Sequence, residues 1–376
     1  MKKLFKLFEK RPQRQEKILE AMQVGISPVC NLKCTFCPTT HYPENNQEMI
    51  SMELFNKLKP YFSWANWIYL QGWGEPLLNK NIWEMIKLVK EADCQVGFTT
   101  NGVLLTPEVR EKILKFGVNL VSISIAGDTP QTHNKLRMGS ELEKIMHNVE
   151  NLIILKQRHN SSLPKVSLSY MLTTESIHHL PAALRRVIEI GADDLYAINL
   201  DYVFSWEADA NKAFTWGKDP SEEYLELIAR AKGIAMEKNF SFRSYLLSLK
   251  EEEPACELNP NKFVFITADG DVAPCTYLGR KINPRIYRDE LIEIPCKSFG
   301  NINKETFEEI WHKPDYKEFR HKFALRLNKF EKLMKFYSEH EPSLIRIRQA
   351  EEDYNTFLID NPLPEECQSC PKRFGI

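Results

Sequence analysis

Cys30, Cys34 and Cys37, in the run CNLKCTFC, place three thiols within eight residues. As thiolates, cysteines this close together are natural metal ligands. A closed tetrahedral zinc site takes four ligands, so three imply a metal centre with one position open, and an open position is where chemistry takes place. A cubane iron–sulfur cluster is ordinarily held by four cysteine thiolates. Three would leave one iron for a ligand that is not protein. The trio alone is also compatible with half of a zinc site or a chance cluster, so its setting must decide.

A second set of thiols lies far downstream: Cys256, Cys275 in Gly270-x4-Cys275, and Cys367-x2-Cys370. Four thiolates suit a closed structural zinc or one more iron–sulfur cluster, and spacing by itself favours zinc in an intracellular chain. Cys296, in IEIPCKSFG, has three readings: a substitute ligand, a side chain of a substrate pocket, or a packed structural thiol. Cys94, in EADC, reads as packing.

The elements that must position these groups are legible in the hydrophobic pattern. Short apolar runs at 22–27, 67–71, 95–100, 119–125, 165–172 and 194–200 alternate with amphipathic segments at 81–92, 107–116, 142–157 and 180–190. Such alternation predicts βαβ units and a parallel sheet. Six units make a partial (β/α)6 barrel, whose active site lies at the C-terminal ends of the strands. The cysteine loop follows strand one, GWGEP follows strand two and TTNG follows strand three, so every suspicious motif falls on that face. After about residue 243 the alternation stops. FVFIT–ADG–DVAPC predicts a hairpin around Asp269-Gly270, and residues 316–357 predict a charged helical stretch broken near Pro342. The expected organisation is an α/β fold: an N-terminal basic helix over 1–20, a partial barrel over 21–245 and a C-terminal α+β metal domain over 250–376.

Composition narrows the function classes. With 376 residues, 43% apolar and 27% charged, the chain has material for a barrel with an appendage. A net charge of −1 argues against a general polyanion-binding surface, hence against nucleic acid. Nine cysteines are too few for a disulfide scaffold at this length, which predicts a reducing, cytoplasmic setting. No run reaches the roughly 18 apolar residues of a membrane span.

With these positions fixed, CNLKCTFC resembles the cluster-binding motif of the radical S-adenosylmethionine (SAM) superfamily, including the aromatic Phe36 before the third cysteine. The resemblance implies that the three thiolates hold a [4Fe–4S] cluster whose fourth iron is chelated by SAM. It further implies reductive cleavage of SAM to a 5′-deoxyadenosyl radical that abstracts hydrogen from a substrate, with a reductant such as flavodoxin or ferredoxin. Gly72-Trp73-Gly74-Glu75-Pro76 resembles the family's Gly-Gly-Glu-Pro loop, with Trp73 where a glycine is usual. Thr99-Thr100-Asn101-Gly102 resembles a loop beside the SAM site. Ser124 and Arg137 match positions that contact the ribose and carboxylate of SAM. Gly74, Glu75, Asn101, Ser124 and Arg137 are therefore the expected cofactor-binding residues. His133 can be read as a general base or as a hydrogen-bonding residue.

The segment from Cys256 to PEECQSCP resembles the SPASM/twitch extension of the same superfamily. That resemblance makes Cys256, Cys275, Cys367 and Cys370 ligands of a single auxiliary [4Fe–4S] cluster and gives it an electron-relay or structural role. Relatives with this extension modify peptides or proteins, mature cofactors, or oxidise small alcohols. Peptide or protein modification or cofactor maturation is the first expectation, and oxidation of a small carbohydrate-type alcohol the second. A non-catalytic iron–sulfur or zinc protein is the alternative from another class.

Overall fold

The computed structural model describes residues 17–42, 48–280, 282–339 and 343–376. In chain order its main strands are β1 (Leu19–Val24), β2 (Lys33–Cys34), β3 (Ala65–Leu70), β4 (Gln95–Thr100), β5 (Leu120–Ile125), β6 (Arg137–Met138), β7 (Lys165–Leu172) and β8 (Asp194–Asn199). They continue with β9 (Thr215–Trp216), β10 (Ser241–Ser244), β11 (Ser248–Leu249), β12 (Phe263–Ile266) and β13 (Val272–Ala273). Nine of these form one sheet in the order β10-β8-β7-β5-β4-β3-β1-β12-β13. Every neighbouring pair is parallel except the β12–β13 hairpin.

The six expected strands are the middle of this sheet, and a helix follows each of them: Met52–Leu58, Ile82–Glu91, Pro107–Lys115, Leu142–Arg158, Leu180–Glu189 and Glu222–Glu237. The local reasons are readable. In LVSISI, Val121, Ile123 and Ile125 enter the main apolar core, which leaves Ser122 and Ser124 on the opposite, concave face. The helix Pro107–Lys115 starts on a Thr106 cap, with Pro107 at its first position and the Val109 amide donating to the threonine hydroxyl.

Two features extend the expected pattern. The polar strand β10, sequence SFRS, adds to the outer edge of β8, where low burial needs no apolar run. At the other edge, β12 pairs in parallel with β1, so the C-terminal region completes the barrel sheet. Periodicity identified FVFI as a strand, but which strand it joins is a tertiary choice. Its hairpin turns at Gly270, whose φ of +94° is open to glycine at no steric cost.

The charged stretch is two helices, Pro314–Glu339 and Leu344–Asp360; Pro342 lies outside the described residues. The expected N-terminal helix falls mostly on residues 1–16, also outside the described residues. Leu19 and Glu20, assigned to it, already belong to β1. Among the described residues no helix is long and apolar enough to cross a membrane.

Candidate functional site

The loop carrying the cysteine trio is held from two sides. Cys34 lies in β2, which pairs antiparallel with β6, so Cys34 stands opposite Arg137. The Thr35 amide donates to the Leu136 carbonyl at 3.0 Å, pinning the loop to the segment that follows β5. Arg137 is only 8% exposed, lies 5.9 Å from the Phe36 ring and leaves its Nε without a partner. Burial pushes the Cys34 thiol up to about 11 and raises Cys30 as well, while the Arg137 charge pulls both back. Thiols held this protonated must release protons when they bind metal.

The other side is the β3–β4 end. The Gly74 amide donates to the Ser27 carbonyl (3.1 Å) and the Glu75 amide to the Val29 carbonyl (2.9 Å). A Cβ at position 74 would meet the Val29 oxygen at 2.2 Å, so only glycine lets this loop lie against the entry to the cysteine loop. The buried Glu75 carboxylate accepts from the Thr100 hydroxyl (2.7 Å), the Leu77 amide (3.1 Å) and the Asn101 amide (2.8 Å). Burial raises its pKa, and those donors and Arg137 oppose the rise. Asn101 Nδ2 then donates to Asn31 Oδ1 at 2.7 Å and lies 3.7 Å from Cys30 Sγ. Gly74, Glu75 and Asn101 thus form one chain of contacts ending on the first cysteine. Their polar groups help to build the loop, a task local motif reading does not reveal.

Ser124 sits half-buried at the C-terminal end of β5. Two residues back on the same face, the Ser122 hydroxyl lies 3.0 Å from the Tyr196 hydroxyl. His133 is fully buried, and its Nδ1 accepts from the Ala126 amide at 3.2 Å. Burial, then the charges of Arg137 and Arg186, lower its pKa to about 3. The Nδ1 contact supports the hydrogen-bonding reading: His133 is a neutral cap on the end of β5, and its buried Nε2 has no partner.

The quartet is enclosed. Cys256, Cys275, Cys367 and Cys370 line one cavity with Tyr277, Arg285, Glu366 and Lys372. Burial drives all four thiols up, Cys275 to about 12, and Cys256, Cys275 and Cys367 are each raised further by neighbouring thiols of the set. Arg326, with no exposed surface, gathers the ligand-bearing segments. Its Nε donates to the Pro254 carbonyl (3.0 Å), Nη1 to the Asn361 carbonyl (3.3 Å) and Nη2 to Glu252 (2.6 Å). Cys296 lies outside this cavity, and Cys94 is packed in the barrel core at 2% exposure.

Trio and quartet are joined by side chains that sequence reading missed. The Trp73 indole N–H donates to the Thr276 carbonyl at 3.2 Å, and its ring meets Tyr202 and Tyr277 edge-on at 4.8 and 6.2 Å. Arg280 donates to Thr39 Oγ1 (2.8 Å) just past Cys37, and Thr39 donates to the Trp73 carbonyl (3.0 Å). Asp201, beyond β8, accepts from the Tyr277 hydroxyl (2.8 Å) and pairs with Lys372 (2.8 Å). Its carboxylate therefore faces the C-terminal unit. The one signal available in the sequence was Trp73 itself, a large ring where a glycine is usual.

Against this geometry, the profile of the Radical SAM superfamily matches residues 24–187, and that of the SPASM iron–sulfur cluster-binding domain matches residues 256–333. The chain belongs to the radical SAM superfamily and carries a SPASM domain. The tungsten-containing aldehyde ferredoxin oxidoreductase cofactor-modifying protein of Pyrococcus furiosus is 25% identical over 315 residues, 80% of this chain and 83% of that protein. A probable GTP 3′,8-cyclase of Sulfurisphaera tokodaii is 27% identical over 277 residues, 69% and 82% of the two chains. Streptococcus suis SuiB bound to S-adenosylmethionine shares the fold with a TM-score of 0.58 at 14% identity, over 81% of this chain and 68% of that one.

The cofactors of this radical SAM enzyme are a SAM-binding [4Fe–4S] cluster, an auxiliary cluster and SAM itself. The residues present fit them. Three thiols share one loop and four more line one cavity, which is the donor chemistry that iron–sulfur clusters take. Cys30, Cys34 and Cys37 would hold the first cluster. Arg137, buried beside them with an unpartnered Nε, is placed to meet a carboxylate. Cys256, Cys275, Cys367 and Cys370 would hold the second. When bound, the first cluster and SAM supply the reductive radical chemistry. The chain supplies the frame: it holds the open site's loop in place and ties the two centres together through Trp73, Arg280 and Asp201.

Proposed function

We propose that this chain cleaves SAM reductively at the Cys30–Cys34–Cys37 cluster and abstracts hydrogen from a substrate bound between the two centres. The auxiliary cluster takes an electron from the substrate, and a flavodoxin- or ferredoxin-type reductant in the cytoplasm feeds the first. The observation that carries this reading is the bridge from Thr39, beside Cys37, through Arg280 and Trp73 to Thr276, beside Cys275. A mere electron carrier would need no such polar junction over an open metal site. As substrate class we propose cofactor maturation or peptide and protein modification. The cofactor arm is supported by the Pyrococcus furiosus relative, matched over most of its length.

Anaerobic reconstitution tests the frame: about eight irons per chain, two cubanes' worth, are expected together with reductant-dependent release of 5′-deoxyadenosine. Zinc without SAM cleavage would sink the proposal. Deuterium passing from a labelled candidate substrate into 5′-deoxyadenosine identifies the abstracted hydrogen.

A further inference from the structure

Beside the junction lies a cavity of about 120 Å³, room for several waters or one oxyanion group at about 10–15 Å³ per water. Its walls come from the ends of β1 and β3 (Ser27, Gly72, Trp73), the end of β12 (Thr267) and the C-terminal unit (Arg280 and Cys296). Arg280 is 8% exposed. One nitrogen, Nη1, donates to Thr39; Nε and Nη2 are buried without a partner. No carboxylate pairs with it among the described residues; the guanidinium also lies 5.3 Å from the Trp73 ring and feels Cys37 and Tyr202. Burial pulls its pKa down and Cys37 pulls it back, yet a guanidinium stays charged in either case. A buried cation with two idle N–H groups is costly unless an anion completes it. Nε and one Nη of a guanidinium form the fork that grips carboxylate or phosphate oxygens in pairs. Asp269 and Asp271 also border the cavity; Asp269 is exposed at the hairpin tip, where it accepts from Thr267, and Asp271 accepts from Asn301 Nδ2 at 3.0 Å. The cavity is thus cationic at the buried arginine and anionic at its mouth.

We infer that Arg280 is the anchor for an anionic head group of the substrate, a carboxylate or a phosphate ester, with donor groups of the same molecule reaching Asp269 and Asp271. The inference rests on the proposed substrate site between the centres and names its chemistry. It also gives Cys296 a place: neither cluster ligand nor packed thiol, it lines the head-group cavity and can report on it.

The test uses the reconstituted, anaerobic full chain, in which bound clusters shield their own thiolates, with labelling at Cys296 read by peptide mass mapping. Iodoacetate, which carries a carboxylate, should alkylate Cys296 faster relative to neutral iodoacetamide. The ratio should fall about tenfold in Arg280→Gln, the worth of one charge-assisted hydrogen bond, and only partly in Arg280→Lys. Inorganic phosphate or acetate should slow the iodoacetamide reaction in the native enzyme and not in Arg280→Gln. Protection by phosphate alone assigns a phosphate ester, and protection by acetate as well assigns a carboxylate. Equal reagent ratios in native and Arg280→Gln proteins overturn the inference. So does loss of iron in Arg280→Gln, which would give Arg280 to the cluster loop. Iron content and SAM cleavage of the native protein report separately on the cluster reading, so its failure is distinct from failure of the head-group site.

Discussion

The cysteine trio and the cysteine quartet use the same ligand in opposite surroundings. The quartet is walled in: its segments are drawn together by Arg326, and its cavity is lined by Lys372, Arg285 and Tyr277, all already bonded to protein groups. The trio is held only along its loop, by β6 on one side and Asn101 on the other. Beside it stand two buried arginines, Arg137 and Arg280, with unfilled donors. The quartet's Arg373 also keeps Nε without a partner, but its other two nitrogens are bonded to Gln368 and Glu252. Arg280 beside the trio has one bonded nitrogen and two idle ones, so the difference is one of degree: more donor capacity is left open at the trio.

The largest expected effect breaks the comparison at its base. Cys30→Ala, Cys34→Ala or Cys37→Ala should abolish SAM cleavage, because each removes one of only three protein ligands; cleavage assays on the reconstituted variants decide it. Cys367→Ala or Cys370→Ala should lower iron from about eight to about four per chain, stop product formation and leave SAM cleavage measurable. Unchanged iron would show that the quartet holds no cluster.

Arg137→Gln sharpens the open side. Loss of a charge-assisted partner should weaken SAM binding by about 10- to 100-fold, or about 1.5–3 kcal/mol, with iron content retained. Equilibrium binding of SAM checks this, and unchanged affinity would remove Arg137 from the cofactor site.

The smallest effect concerns the frame. His133 has a folded pKa of about 3 against an ordinary 6.5. Its stabilising contribution is therefore complete above pH 6.5 and is lost as the pH falls toward 3, since the unfolded chain takes up the proton first. At pH 5 the loss is about 2 kcal/mol. Thermal melts at pH 7 and pH 5 should show a smaller acid-induced drop for His133→Asn, whose side chain cannot titrate, than for the native protein.

Much of this was legible in the chain. The strand–helix alternation, the hairpin at Gly270 and both cysteine sets are local patterns, since hydrophobic period and ligand spacing are properties of short segments. The roles of Glu75 and Asn101 were not. Their motif suggested contact with SAM; the fold adds that their side chains tie β3, β4 and Cys30 together, and only juxtaposed strand ends reveal that. Arg280 and Arg326 carried no motif at all. Each is an arginine in an ordinary helical or loop context, made special by where the fold buries it.

The sequence by itself determined which residues could ligate metal and that a parallel α/β barrel would present the first set on its catalytic face. Tertiary structure decided that β12 joins β1, which swings the C-terminal quartet onto the same frame. It also decided that Trp73 docks one unit on the other, and that Arg137 and Arg280 are left buried with open donors. Strand partners, burial and unsatisfied charge depend on segments hundreds of residues apart meeting in space. No local window of the sequence contains them.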